Sequence, residues 1–108
     1  MSPPELQQGV LELLILRTLA REPLHGWAIS KRIRQSSNDV LQVNQGSLYP
    51  ALYRLEKRGL IQAEWGISPE GRRAKFYRLS PAGRRSLARE TAAWRTYTAA
   101  VDLVIEGG

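Results

Sequence analysis

With 108 residues, 43% of them hydrophobic and 24% charged, the chain has room for one globular domain with a modest core and lacks the composition of a disordered one. It has no cysteine and a single histidine, His25, which excludes a disulfide framework, a thiol nucleophile and any zinc site needing Cys or several His ligands. The formal net charge of +6 suits a polyanionic partner, because a basic surface gains from counterion release and steers association.

Two prolines, Pro3 and Pro4, oppose helix in the lead-in, and residues 5–21 read as the first helix. Its apolar residues, Leu6, Val10, Leu11, Leu13, Leu14, Ile15, Leu16 and Leu19, cover more than one stripe. Because a small domain covers only one side of such a helix, the surplus points to a second copy of the chain across a two-fold axis. The competing reading puts the helix at the centre of the protomer. Glu12 and Arg17 interrupt the apolar run, which is too short to span a membrane, and the N-terminus lacks the order of a signal peptide. A cytoplasmic protein with no membrane contact is expected.

Glu22, Pro23 and Leu24 break this helix, and His25 and Gly26 open a second one reaching to about Gln35. Trp27, Ile29 and Ile33 are its expected packing residues, with Lys31, Arg32 and Arg34 left near solvent. His25 has no second ligand or nucleophile beside it, so a structural role at the helix start is expected. Residues 36–39 form a turn, and residues 40–43 a short extended piece.

Asn44 is a good N-cap for a third helix, and Gly59 suits its left-handed end. Leu48, Leu52 and Leu55 recur at helical spacing as a buried stripe, and Tyr49, Pro50, Tyr53, Arg54 and Lys57 fall elsewhere around the helix. Pro50 deletes one backbone bond and can kink the first turn. Taken alone, this pattern also describes an amphipathic helix whose polar face is merely solvated. Two helices, a connector and a third amphipathic helix, however, make the helix-turn-helix layout with an enlarged turn.

Residues 60–65 alternate apolar and polar, residues 66–71 supply a turn, and residues 72–79 return as a second strand. A β-hairpin directly after a helix-turn-helix is the wing of a winged helix. Arg72, Arg73 and Lys75 suit phosphates or a minor groove; edge protection alone would need only one or two such charges. Residues 54–85 hold nine basic and three acidic side chains, which accounts for the whole net charge.

Ser80 caps and Pro81 opens a last helix running to about Ile105, with an apolar stripe of Leu87, Trp94, Tyr97, Val101, Val104 and Ile105. At roughly 36 Å it overhangs a domain of this size, which again implies a dimer. Trp94 fits either the dimer core or one wall of a ligand cavity at the two-fold axis.

Four segments, LQQGVLELLILRTL, PLHGWAISKRI, NQGSLYPALYRLEKRGLI and WGISPEGRRAKFYRLSPAG, stand in an order and spacing that resembles the PadR family of bacterial transcriptional regulators, most closely its acidobacterial-type short subgroup. The resemblance runs from about Leu6 to Trp94. It implies a dimeric winged-helix repressor whose first and last helices build the dimer and whose third helix and wing contact a two-fold symmetric operator. Gln45, Gly46, Ser47, Tyr49, Pro50 and Tyr53 match the family's reading helix, and Arg72, Arg73 and Lys75 match its wing. In some short members a Trp similar to Trp94 lines a cavity for flat aromatic compounds.

The expected fold is therefore mainly α with a small β-hairpin: a winged-helix DNA-binding domain over residues 1–80 and a dimerisation helix over residues 81–108. On double-stranded DNA, Gln45 and Ser47 would hydrogen-bond base edges or phosphate, and Tyr49 and Tyr53 would add hydroxyl or apolar contacts. Lys31, Arg54, Lys57, Arg72, Arg73 and Lys75 would hold phosphates. Leu6, Val10, Leu14, Leu87, Trp94, Tyr97, Val101 and Val104 are the expected dimer contacts, and Trp94, Leu87, Thr91 and Thr98 the lining of an aromatic effector site. An effector-controlled dimer and a protein-interaction module that never touches DNA are the competing readings. The residues hold no nucleophile and base pair, phosphate loop or metal set, so neither catalysis nor a cofactor is expected.

Overall fold

A computed structural model describes residues 6–107; the lead-in, the first residue of the expected first helix (Glu5) and Gly108 lie outside the described residues. In chain order the elements are α1 (Gln8–Leu19), β1 (Leu24–His25), α2 (Gly26–Ser36), α3 (Gln45–Lys57), β2 (Ile61–Ile67), β3 (Arg73–Leu79) and α4 (Pro81–Gly107).

Helix α1 runs through the middle of the protomer, against α2, α3, α4 and β3. Leu11, Ile15, Leu16 and Leu19 are buried, and Leu6 and Leu14 pack half-buried on the same core. Most of the apolar surface assigned to a partner is thus consumed within one chain, leaving Val10, Leu13 and Leu14 half-exposed along the rim. The core is completed by Ile29 and Ile33 of α2, Leu48, Ala51, Leu52 and Leu55 of α3, and Leu60, Ile61, Tyr77 and Leu79 at the base of the hairpin.

The hairpin gains a third strand. Leu24 and His25 pair antiparallel with Tyr77 and Phe76, so the sheet order is β1-β3-β2. His25 also caps α2, its Nδ1 accepting from the Ala28 amide at 3.4 Å, and its ring lies edge-on to Phe76 and stacks on Trp27. Trp27, expected in the core, is instead exposed, because the helical face that meets α1 and α3 is the one carrying Ile29 and Ile33. β2 and β3 stay in register from Ile61 opposite Leu79 out to Ile67 opposite Arg73. The turn beyond is closed by Ser68, whose amide donates to the Arg72 carbonyl and whose hydroxyl accepts from the Arg72 amide, with Gly71 at φ 81°.

The end of α3, the start of β2 and the start of α4 are tied at one point. Gly59 takes φ 75°, turning the chain so that the Leu60 amide reaches back to the Leu55 carbonyl. Ser80 then donates its hydroxyl to the Gly59 carbonyl at 2.6 Å and accepts from the Gly83 amide at 3.0 Å, capping α4 while fastening it to the α3 end. Gly83 lies so close to Leu60 that a Cβ there would run into the Leu60 carbonyl oxygen. From this anchorage α4 extends for 27 residues, roughly 40 Å, and gives the protomer its long dimension of 54 Å. Among the described residues no helix is long and apolar enough to cross a membrane.

Candidate nucleic-acid interface

Asn44 starts α3 as expected, its Oδ1 accepting from the Ser47 amide at 2.9 Å. With Leu48, Ala51, Leu52 and Leu55 turned into the core, the helix leaves Gln45, Gly46, Ser47, Tyr49, Pro50, Tyr53 and Lys57 exposed. Pro50 lacks the N–H that would bond the Gly46 carbonyl, so the helix proceeds through its first turns without that backbone bond. Tyr49 leans across to α2: a Cβ on Gly26 would come within 2.9 Å of its ring and hydroxyl, so the small residue at the start of α2 makes room for it. Tyr77, just inside, has its phenol pKa raised by burial first and then by Glu56 and Tyr49.

The basic side chains divide into two groups. Arg54 is turned away from the exposed row toward α1, where its Nε lies 3.2 Å from Glu12 Oε2. Arg58 meets the other oxygen of Glu12, also at 3.2 Å, and the Glu12 side chain is only 13% exposed. Arg54 is therefore a strut between α1 and α3 rather than a member of the exposed site, because its helical position borders Ala51 and Leu55 on the side that α1 covers. Lys75 is half-buried, 3.5 Å from Glu56 Oε1 and above the Tyr77 ring. Lys31, Lys57, Arg72 and Arg73 are exposed and have no carboxylate partner among the described residues. Lys31 lies over Trp27 and Arg73 over Trp65, and Lys57 donates to the Tyr53 hydroxyl at 3.4 Å. Trp65 and Ile67 are exposed residues of the wing that the reading of site residues left out. The alternation of β2 was the available signal: Ile61, Ala63, Trp65 and Ile67 share one face, and the core ends after the first two.

On α4, Leu87, Thr91, Trp94 and Thr98 follow at intervals of four and three, so they lie along one side of the helix. They do not behave alike. Leu87 packs on the protomer core, and the Thr98 hydroxyl is spent on the Trp94 carbonyl of its own helix at 3.0 Å. Trp94 is exposed with Tyr97 tilted against it, ring centroids 6.1 Å apart, and Tyr97, Ala100, Val101, Val104 and Ile105 continue from them as an apolar face of α4 open to solvent.

Three helices closed by a small sheet, with a polar helix row exposed beside a basic hairpin, define a winged helix-turn-helix protein. Residues 15–89 match the model of the transcriptional regulator PadR-like family, and the chain belongs to that family. It is a regulator rather than an enzyme. It is 35% identical over 86 residues to a transcriptional regulator of Mycobacterium tuberculosis, covering 80% of this chain and 77% of that one. Among solved structures, it is similar to a protein of Streptococcus mutans (TM-score 0.85, 28% identity, 98% and 95% of the two chains covered). A PadR-like transcriptional regulator of Bacillus cereus is also similar, with TM-score 0.79, 28% identity and 94% and 96% covered.

Proposed function

We propose that the protein is a dimeric, sequence-specific DNA-binding repressor acting in the cytoplasm. The observation that carries this reading is the exposed row of α3, flanked by cations whose charge no carboxylate among the described residues cancels. In this reading residues 1–80 are the DNA-binding unit and residues 81–108 the dimerisation helix. The first turns of α3 enter a major groove, Gln45 and Ser47 meet base edges, and Tyr49 and Tyr53 offer hydroxyl or thymine-methyl contacts. Lys31, Lys57, Arg72 and Arg73 hold phosphates, which fix register and affinity but not sequence. Lys75 supports the wing against α3, and Arg54 has no part in the contact.

The exposed half of the α4 stripe, from Trp94 through Tyr97, Val101 and Val104, together with Leu6 just before α1 and Val10 and Leu14 on its rim, covers the same surfaces of a second copy. Two reading helices on one side then require a two-fold operator with half-sites one helical turn apart, about 34 to 36 Å. Gln45→Ala or Ser47→Ala is expected to change preference among operator variants by about 1–3 kcal/mol, measured by competition binding. Equal loss on every sequence would make these residues positioning groups instead of readers.

A second reading is favoured by one observation, the exposed Trp94 and Tyr97 rings at the start of an apolar face of α4. Two such faces meeting across the axis would make a slot for a flat aromatic effector that tunes DNA affinity. Planar aromatic compounds should quench tryptophan fluorescence in the wild type and not in Trp94→Phe; quenching that survives the substitution rules this site out.

A further inference from the structure

Around α3, most basic side chains are held by a carboxylate or by an aromatic side chain; Lys75 has both kinds of partner, and Arg72 has neither among the described residues. Carboxylates hold Arg54 and Arg58 on Glu12, Lys75 on Glu56 and Arg32 on Glu22. Aromatic side chains hold Lys31, 4.9 Å from the centroid of Trp27; Lys57, whose Nζ donates to the Tyr53 hydroxyl at 3.4 Å; and Arg73, 4.6 Å from the centroid of Trp65. The three rings are 50%, 62% and 58% exposed, so none is kept in place by core packing. They come from three different elements, α2, α3 and the wing.

The two kinds of partner have opposite consequences for an anion arriving from solvent. A carboxylate cancels the cation's charge and must be displaced. A ring attracts the cation through its quadrupole and limits its rotamers while leaving its full positive charge outward. A long side chain already restricted in this way loses less freedom when it docks on a phosphate. Trp65 is the clearest case. Its strand neighbours Ile61 and Ala63 reach the core, but Trp65 lies past the core edge, directly opposite Lys75 and diagonal to Arg73 on the same face of the sheet.

Resting on the DNA-binding reading above, we infer that Trp27, Tyr53 and Trp65 are positioning residues that hold Lys31, Lys57 and Arg73 ready for DNA phosphates, while the carboxylate-held cations serve the fold. The contact is sequence-independent, so the probe is a 30-base-pair duplex of arbitrary sequence at low salt. Trp65→Ala should weaken binding roughly three- to tenfold, the span a partly desolvated cation–π contact allows. Trp65→Leu, which keeps apolar bulk without a π face, should do the same, and Trp65→Phe should retain most of the affinity. In Arg73→Ala, adding Trp65→Ala should cost nothing more, because the ring acts only through the guanidinium. Thermal unfolding should be the same for all these variants, since Trp65 is outside the core.

Wild-type affinity in Trp65→Ala, wild-type affinity in Trp65→Leu, or losses from Trp65→Ala and Arg73→Ala that add in the double variant would each overturn the inference and leave the DNA-binding reading intact. Failure of the wild type itself to bind any duplex would overturn both.

Discussion

Glu12 accepts two guanidinium groups from the neighbouring helix while nearly buried, which makes it the most heavily used carboxylate near α3. Replacing it with Gln should lower stability by about 1 kcal/mol, a value held down because Arg54 and Arg58 remain partly in water. The same logic separates two arginines that look alike in the sequence. Arg73→Ala should reduce the slope of log affinity against log salt by about one unit, whereas Arg54→Ala should leave that slope unchanged and lower thermal stability. The Tyr77 phenol, whose pKa is raised by burial ahead of Glu56 and Tyr49, should contribute stability that is present below the unfolded tyrosine pKa near 10 and is lost as pH rises through the higher folded value. Chemical denaturation across alkaline pH should show that loss, and Tyr77→Phe should remove it. At this scale the sequence was only partly legible. Helical spacing sorted Leu48, Leu52 and Leu55 from Tyr53 and Lys57, but it could not say that α1 covers the flank bearing Arg54, or that Trp27 and Trp65 stand outside the core. Those outcomes depend on which neighbour reaches which side of an element, and that is decided by contacts distant in sequence.

Among the elements, the junction of α3, β2 and α4 sets how the wing and the long helix leave the body. Gly83→Ala is the sharpest test of it. Alanine would gain roughly 1 kcal/mol in helix propensity, yet its methyl meets the rigid Leu60 carbonyl, an overpacking cost of about 1–3 kcal/mol or more. A net loss, seen as a thermal midpoint several degrees lower, is expected; a midpoint above the wild type would mean α4 does not dock this closely. Most elements were visible beforehand because each carries its own local marks: Asn44 and Gly59 bracket α3, Ser80 and Pro81 open α4, and alternation marks the hairpin. β1 was not visible. Two residues carry no periodicity, and their strand character comes only from pairing with Tyr77 and Phe76 some fifty positions away. The central place of α1 was likewise one of two open readings, since its all-round apolar pattern suits a core helix and a dimer helix equally.

For the molecule as a whole, the outer half of α4 is the feature that one protomer leaves unresolved in energetic terms. Tyr97, Val104 and Ile105 are exposed along one side of a helix that reaches well beyond the body, an arrangement that water disfavours and a second copy would cover. Val101→Asp with Val104→Asp should therefore shift the mass measured by light scattering from dimer to monomer, without changing the helical content of the winged-helix body. The monomer should keep weak, salt-sensitive duplex binding and lose most operator affinity, since only one half-site can then be held. The most direct test of the whole proposal is a hydroxyl-radical footprint of the wild type on the DNA upstream of its own gene. Two protected patches on one face of the duplex, centred one helical turn apart and both lost in a Gln45→Ala, Ser47→Ala variant that still folds, are the predicted result. No protection at moderate salt, or uniform protection along the duplex that ignores this variant, would contradict it.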